Sequence, residues 1–204
     1  TYVNDLPAMV KALADSAGEE RTYVETVAFP NFAIEDHWAQ GDAAAAIHRG
    51  DWRFVVMQQG PSALPASRVN LIEWARRFAA EIVSAGATPA MYTVWPSSDR
   101  EFDFDRVVES YQLAADSIGG RALPAGAAWL AAWRLDPSIP LYGPDGFHPS
   151  TTGTYLAALT VFGGLYQRSV IGLPARLRIP GGTISFAPAV ALLLQRAADE
   201  ANGR

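Results

Sequence analysis

The chain has no cysteine among its 204 residues, which excludes disulfides, thiolate zinc sites and a cysteine nucleophile. Histidine is scarce as well. The three present, His37, His48 and His148, show no HExxH-type spacing that would set two metal ligands on one helical face, so no metal site is expected. Positive charge is short: 16 Lys and Arg against 21 Asp and Glu give a formal charge of -5, with a pI near 5.1. A surface for nucleic acid or for an anionic membrane needs clustered basic residues that displace counterions, so neither partner fits this chain. No apolar run approaches the roughly 18 residues that a membrane span needs. Repeats, charge blocks and low-complexity linkers are missing too. What the sequence does have is apolar residues at 50% and charged ones at only 18%, enough for one substantial core. A single domain over residues 1–204 and a small neutral or polar ligand are the expectations.

Four short apolar runs alternate with longer helical patterns, the rhythm of βαβ units in a parallel sheet covered on both faces. Strands are expected at Tyr23 to Ala28, Trp52 to Met57, Pro89 to Trp95 and Arg121 to Leu123. Helices are expected at Leu6 to Ala17, Asp42 to Arg49, Ser67 to Ala85, Asp103 to Ile118, Gly126 to Leu135, Thr151 to Tyr166 and Ala187 to Ala201. The Gly/Pro-rich stretch Gly172 to Gly182 reads as a surface excursion between the last two helices. In an open parallel sheet, ligands sit beyond the carboxyl ends of the strands. Polar residues gather at those ends: Asn31 after the first strand, and Gln58 and Gln59 after the second. Trp95 ends the third and is placed to wall a cleft and stack on a sugar or acyl group.

The most informative run is Asp145-Gly146-Phe147-His148-Pro149-Ser150, a carboxylate three residues before a histidine in a Gly/Pro loop that opens a helix. A carboxylate at this offset can accept the imidazole Nδ1 proton and fix the tautomer. That leaves Nε2 to take a proton from a serine hydroxyl. Ser150 reads as the cap of the following helix. His48, near a helix C-terminus where the dipole favours an imidazolium, reads as structural, while His37, on a short helix after Glu35-Asp36, reads as a half-exposed structural histidine or a substrate contact. Ser62 follows Gly60-Pro61 on a tight turn, but a nucleophile elbow needs glycine two positions after the serine and Leu64 stands there.

Asp145 through Gly153, running into Tyr155-Leu156-Ala157-Ala158-Leu159, resembles the last motif block of the SGNH (GDSL-type) hydrolases, in which Asp-x-x-His supplies acid and base. Phe54 to Ser62 resembles that family's third block, a strand running into a loop with an amide side chain for the oxyanion. Thr1-Tyr2-Val3-Asn4-Asp5-Leu6-Pro7 resembles the segment directly after the nucleophile motif at the end of the first strand, which would put the serine about two residues before Thr1. Two departures stand out. Gly60-Pro61-Ser62-Ala63 occupies the register of Gly-x-Asn-Asp, so Gln58 or Gln59 would have to supply the amide, and Pro30-Asn31-Phe32-Ala33 replaces the second block's glycine. A backbone N–H needs no glycine, so that donor could come from this loop with the Asn31 amide beside it.

The resemblance implies a flavodoxin-like, three-layer α/β/α SGNH hydrolase fold whose first strand is missing from this chain. It implies hydrolysis of a carboxylic ester through an acyl-enzyme, with His148 as base, Asp145 orienting it, and no cofactor. The expected substrate is a small-molecule ester or acylated glycan, with a short acyl group on a carbohydrate as the leading case. The alternatives are a non-catalytic carbohydrate-binding relative and an inactive fragment.

Overall fold

The computed structural model describes residues 3–19 and 22–204. In chain order the elements are a 3-10 turn (Val3–Asp5), α1 (Leu6–Ser16), α2 (Ile34–Gln40), α3 (Asp42–Arg49), β1 (Phe54–Met57), α4 (Pro65–Ser84) and β2 (Thr88–Tyr92). A second 3-10 stretch (Ser98–Asp103) leads into α5 (Phe104–Ser117), β3 (Arg121–Leu123), α6 (Ala125–Leu135), α7 (Thr151–Tyr166), β4 (Arg176–Ile179), β5 (Gly182–Ser185) and α8 (Pro188–Ala201). These fall into two compact units, one from residues 27–96 and 100–124, the other from 1–26, 97–99 and 125–204.

The first unit holds the parallel sheet, in the order β1-β2-β3, with Phe54 opposite Thr88 and Ala90 opposite Arg121. Helix α4 turns one stripe inward. Leu71, Ala75, Phe78 and Ile82 recur at helical spacing and pack with Met57, Met91, Val107, Tyr111 and Ala114 in one buried cluster. This is the α/β class with a parallel sheet that the alternation of apolar runs predicts.

In the second unit α7 packs against α1, α6 and α8. Its residues are buried almost all round, Tyr155, Leu156, Leu159 and Phe162 among them, so the helix has no polar stripe to offer solvent.

Three expectations need correction. No strand forms over Tyr23 to Ala28, which is irregular, with Tyr23 71% exposed. Aromatic and β-branched residues make a strand only with a neighbour to complete the ladder, and among the described residues the parallel sheet stops at β1. Helix α4 starts at Pro65 rather than Ser67. Proline at the first helical position supplies the helical φ without a donor to lose, and the Ser67 hydroxyl instead donates to the Leu64 carbonyl at 2.9 Å. The Gly/Pro-rich excursion contains a hairpin, in which β4 and β5 pair antiparallel with Arg176 opposite Ser185 and Ile179 opposite Gly182. Its apolar residues are only Leu177 and Ile179 on β4 and Ile184 on β5, too few to stand out from the surrounding glycine and proline.

Candidate functional site

Residues 140–150 form a loop closed on itself before α7 begins. The Gly143 N–H donates to the His148 carbonyl at 2.7 Å and the Ser150 N–H to the Leu141 carbonyl at 2.8 Å, with Tyr142 and Pro149 forming an antiparallel bridge between them. Ser150 caps the helix as expected, its Oγ accepting the Gly153 N–H at 3.0 Å while donating to the Pro140 carbonyl at 2.6 Å. Gly146 takes the left-handed conformation at φ 66°, and its carbonyl accepts the Ser98 N–H at 2.8 Å. The positive φ favours glycine here, and a Cβ would also stand 2.4 Å from the Ser98 hydroxyl, which would have to rotate away.

Inside this loop Asp145 does two jobs. One carboxylate oxygen accepts the N–H groups of Phe147 at 3.0 Å and His148 at 2.9 Å, which shapes the turn. The other meets His148 Nδ1 at 2.6 Å. The bond from His148, followed by that from the Phe147 N–H, holds the Asp145 carboxyl down at about 2. Both side chains are half exposed, so the pair is open to a ligand. With Nδ1 engaged, Nε2 is the nitrogen left for proton transfer. Phe147, itself half exposed, stands edge-on to the imidazole at 4.9 Å between centroids.

Asn4, which the sequence pattern gave no role, joins this loop: its Nδ2 donates to the Pro149 carbonyl at 2.9 Å and to Thr154 Oγ1 at 3.0 Å. Its backbone is left-handed, at φ 54°. The signal was its place in the opening heptapeptide. Its partners, some 150 positions away, left no trace in the sequence.

The strand-end residues belong to the other unit. Asn31 is exposed and left-handed, at φ 64°. The next three N–H groups are taken: Phe32 donates to the Phe29 carbonyl at 3.4 Å, Ala33 to Asp36 Oδ2 at 2.8 Å and Ile34 to Gln59 Oε1 at 3.2 Å. Among the described residues the Asn31 N–H has no acceptor. Gln59 is buried. Its Nε2 donates to Ser62 Oγ at 3.0 Å, its N–H to the Tyr111 hydroxyl at 3.1 Å, and its carbonyl accepts that hydroxyl at 2.6 Å. Burial pushes the Tyr111 phenol well above its ordinary range, so it stays a neutral donor. Gln58 is half buried, and its Nε2 donates to the Gln59 carbonyl.

Ser62 is buried at φ 58°, with its hydroxyl donating to the Gly60 carbonyl at 3.0 Å. Trp95 is 7% exposed, which leaves little ring face for a ligand. Tyr111 was hidden from sequence reasoning because a tyrosine on the inward stripe of α5 looks like any core aromatic.

The remaining histidines lie elsewhere. His48 Nε2 meets Glu81 at 2.7 Å on an exposed surface. His37 packs against Phe29 and Phe32, at 5.9 Å and 5.2 Å between centroids, and burial lowers its pKa against the opposing pull of Asp36. Among the described residues no group of three or more acidic or histidine side chains is arranged to hold a metal, and no helix is long and apolar enough to cross a membrane.

No protein-family model matches the sequence, and no curated protein matches it. Solved structures do. A DUF4886 family protein from Bacteroides uniformis ATCC 8492 superposes over 85% of this chain and 80% of its own, with a TM-score of 0.69 at 20% identity. A protein described as "a putative SGNH hydrolase" from Slackia heliotrinireducens covers 77% of this chain and 90% of its own, with a TM-score of 0.64 at 24% identity. A third, described as "a putative GDSL-like lipase" from Parabacteroides merdae ATCC 43184, covers 80% and 83%, with a TM-score of 0.61 at 11% identity. With an α/β chain built on a parallel sheet and its Asp-x-x-His turn leading into a late helix, this protein has the fold of the SGNH and GDSL-type hydrolases.

Proposed function

We propose that this chain carries the acid and base of a serine ester hydrolase. The observation that supports it most is the Asp145–His148 pair, with 2.6 Å between Oδ2 and Nδ1 in a turn that the same carboxylate shapes. In this reading Nε2 of His148 takes the proton of a serine that, by the resemblance of the opening heptapeptide, lies just ahead of Thr1. The serine oxygen attacks the ester carbonyl and forms a tetrahedral intermediate. His148 returns the proton to the leaving alcohol, and water then repeats the sequence on the acyl-enzyme. Asp145 remains ionised throughout and stabilises the imidazolium, a role suited to a carboxyl held near 2.

The oxyanion role rests on the Pro30–Ile34 loop by itself. Donors for an oxyanion must be fixed before the reaction and not already committed. The Asn31 N–H answers to both, since the turn around it is tied down and its own hydrogen has no acceptor among the described residues. Gln58, one of the two amides the third motif block would offer, already donates from Nε2 to the Gln59 carbonyl, so in this reading the Asn31 N–H carries the role. The substrate class is a small ester, with a short acyl group on a carbohydrate as the leading case. An acidic chain of net charge -5 suits a neutral substrate better than an anionic one.

The test is kinetic, on the full-length protein with short-chain nitrophenyl esters. His148→Ala should lower kcat by roughly 10³ or more, and Asp145→Asn, which keeps the shape but favours the wrong tautomer, should cost on the order of 10³ to 10⁴. Both losses should leave KM nearly unchanged. A rate indifferent to His148→Ala would sink this reading and promote a binding role for the fold.

A further inference from the structure

Gln59 stands where the third motif block would place an oxyanion donor, yet its bonding commits it elsewhere. The side chain is buried, and its two ends reach two different segments: Oε1 takes the Ile34 N–H from the loop after Asn31, and Nε2 donates to Ser62 in its own loop. Its backbone is pinned from a third direction, because Tyr111 on α5 both accepts its N–H and donates to its carbonyl. The next residue of α5 toward the N-terminus extends the same contact. Ser110 Oγ donates to the Ser62 carbonyl at 2.8 Å and accepts from Arg68 Nε at 2.9 Å.

We infer that Gln59 is a positioning residue, a clasp that fixes the Asn31 loop against the Gln58–Ser62 loop, and that it does not itself touch the substrate. The inference rests on the oxyanion reading of Asn31 above. Two left-handed residues, Asn31 and Ser62, bracket the clasp at φ 64° and 58°. Such conformations in non-glycine residues persist only where surrounding bonds over-determine them, and Gln59 supplies one bond to each loop. A carboxamide suits this task because it accepts at one end and donates at the other in a fixed plane. An Asp or Glu carboxylate would offer Ser62 no hydrogen, and an apolar side chain would leave the Ile34 N–H unpaired in a buried place.

The clasp predicts a pattern that a direct donor cannot give. In the full-length protein, Gln59→Leu should lower kcat by roughly 10 to 10² while KM changes less than about twofold, because what is lost is placement of a transition-state donor. Ser62→Ala removes the clasp's second anchor and should lower kcat in the same direction. The double variant should then be no slower than the slower single variant, the non-additivity of residues that act as one unit. Were Gln59 the oxyanion donor, Ser62→Ala would release Nε2 and leave kcat intact or raised, which would overturn the inference.

A second readout needs no activity. In the 204-residue chain, amide hydrogen exchange at Ile34 should quicken in Gln59→Leu relative to exchange at Phe78 in the core. Unchanged Ile34 exchange would refute the clasp even if kcat fell. His148→Ala in the same kinetic assay separates the two readings. If it is silent the hydrolase proposal fails, whereas if it costs three orders of magnitude and Gln59→Leu leaves both rate and exchange untouched, only the clasp fails.

Discussion

Gly153→Ala sets two effects of opposite sign against each other. Gly153 lies in the first turn of α7, where replacing glycine by alanine adds up to about 1 kcal/mol of helix propensity. A methyl there would meet the Leu141 carbonyl oxygen at 2.3 Å and Trp129 Cζ2 at 2.7 Å. Bringing the first contact out to 3.0 Å requires a shift of 0.7 Å, the difference of 3.0 and 2.3. Neither neighbour yields easily. The Leu141 carbonyl is bonded to the Ser150 N–H, and Trp129 is fully buried, packed edge-on against Trp133 and Tyr142. Overpacking of this kind costs about 1–3 kcal/mol, so the net change is a loss of roughly 1–2 kcal/mol. For a chain of this length that lowers Tm by about 2–8 °C. The displaced carbonyl also anchors the loop carrying His148, and misplacement approaching 1 Å costs up to about 10² in rate. Thermal melting of the 204-residue chain and kcat/KM of the full-length protein are the two measurements. A Gly153→Ala protein that melts higher and keeps its rate would show that helix propensity wins and that the close approach does not set the loop.

Two further perturbations read other parts of the molecule. Tyr111→Phe removes the hydroxyl that pairs with both the N–H and the carbonyl of Gln59; the carbonyl keeps the Gln58 amide, so the buried N–H is the group left unpaired, at about 1–3 kcal/mol. Urea denaturation should show a loss of about 1–3 kcal/mol, and a change below about 0.5 kcal/mol would refute the assignment. The Asp145 carboxyl titrates in the folded chain at about 2, below its ordinary 3.8, so the folded state binds fewer protons between those values. Its contribution to stability is therefore complete above about 4 and is lost as pH falls to about 2. Carbon-detected titration of the carboxyl should show the depressed value, and an ordinary one would contradict the turn as described.

The legibility of the sequence divides along the range of the contacts. The Asp145–His148 turn was readable because its partners lie three residues apart and its glycine, proline and serine each have a local task. The parallel sheet was readable from alternating apolar runs, and helix ends with glycine beyond them were placed within a residue or two. What depended on distant partners was not. Gln58 and Gln59 are neighbours of the same type, and only Tyr111, Ser62 and Ile34 distinguish them. Trp95 looked available at the end of a strand, yet nothing local announces that it is buried. Tyr23 to Ala28 has strand-like residues, but a strand belongs to its ladder as much as to its own residues.

The turn that joins acid to base has a bearing on folding. When partners of a catalytic pair come from distant parts of a chain, their meeting waits on loop closure, whose entropic cost grows with the logarithm of the loop. Asp145 and His148 close almost no loop, and three bonds to one carboxylate hold them. The pair can therefore form as early as the turn itself and persist when helices around it loosen. The long-range ties, from Ser98 to Gly146 and from Asn4 to Pro149, decide only where the finished pair points. Substitutions far from the turn should thus impair this protein by mis-aiming an intact pair, leaving the Nδ1 hydrogen bond in place while the rate declines.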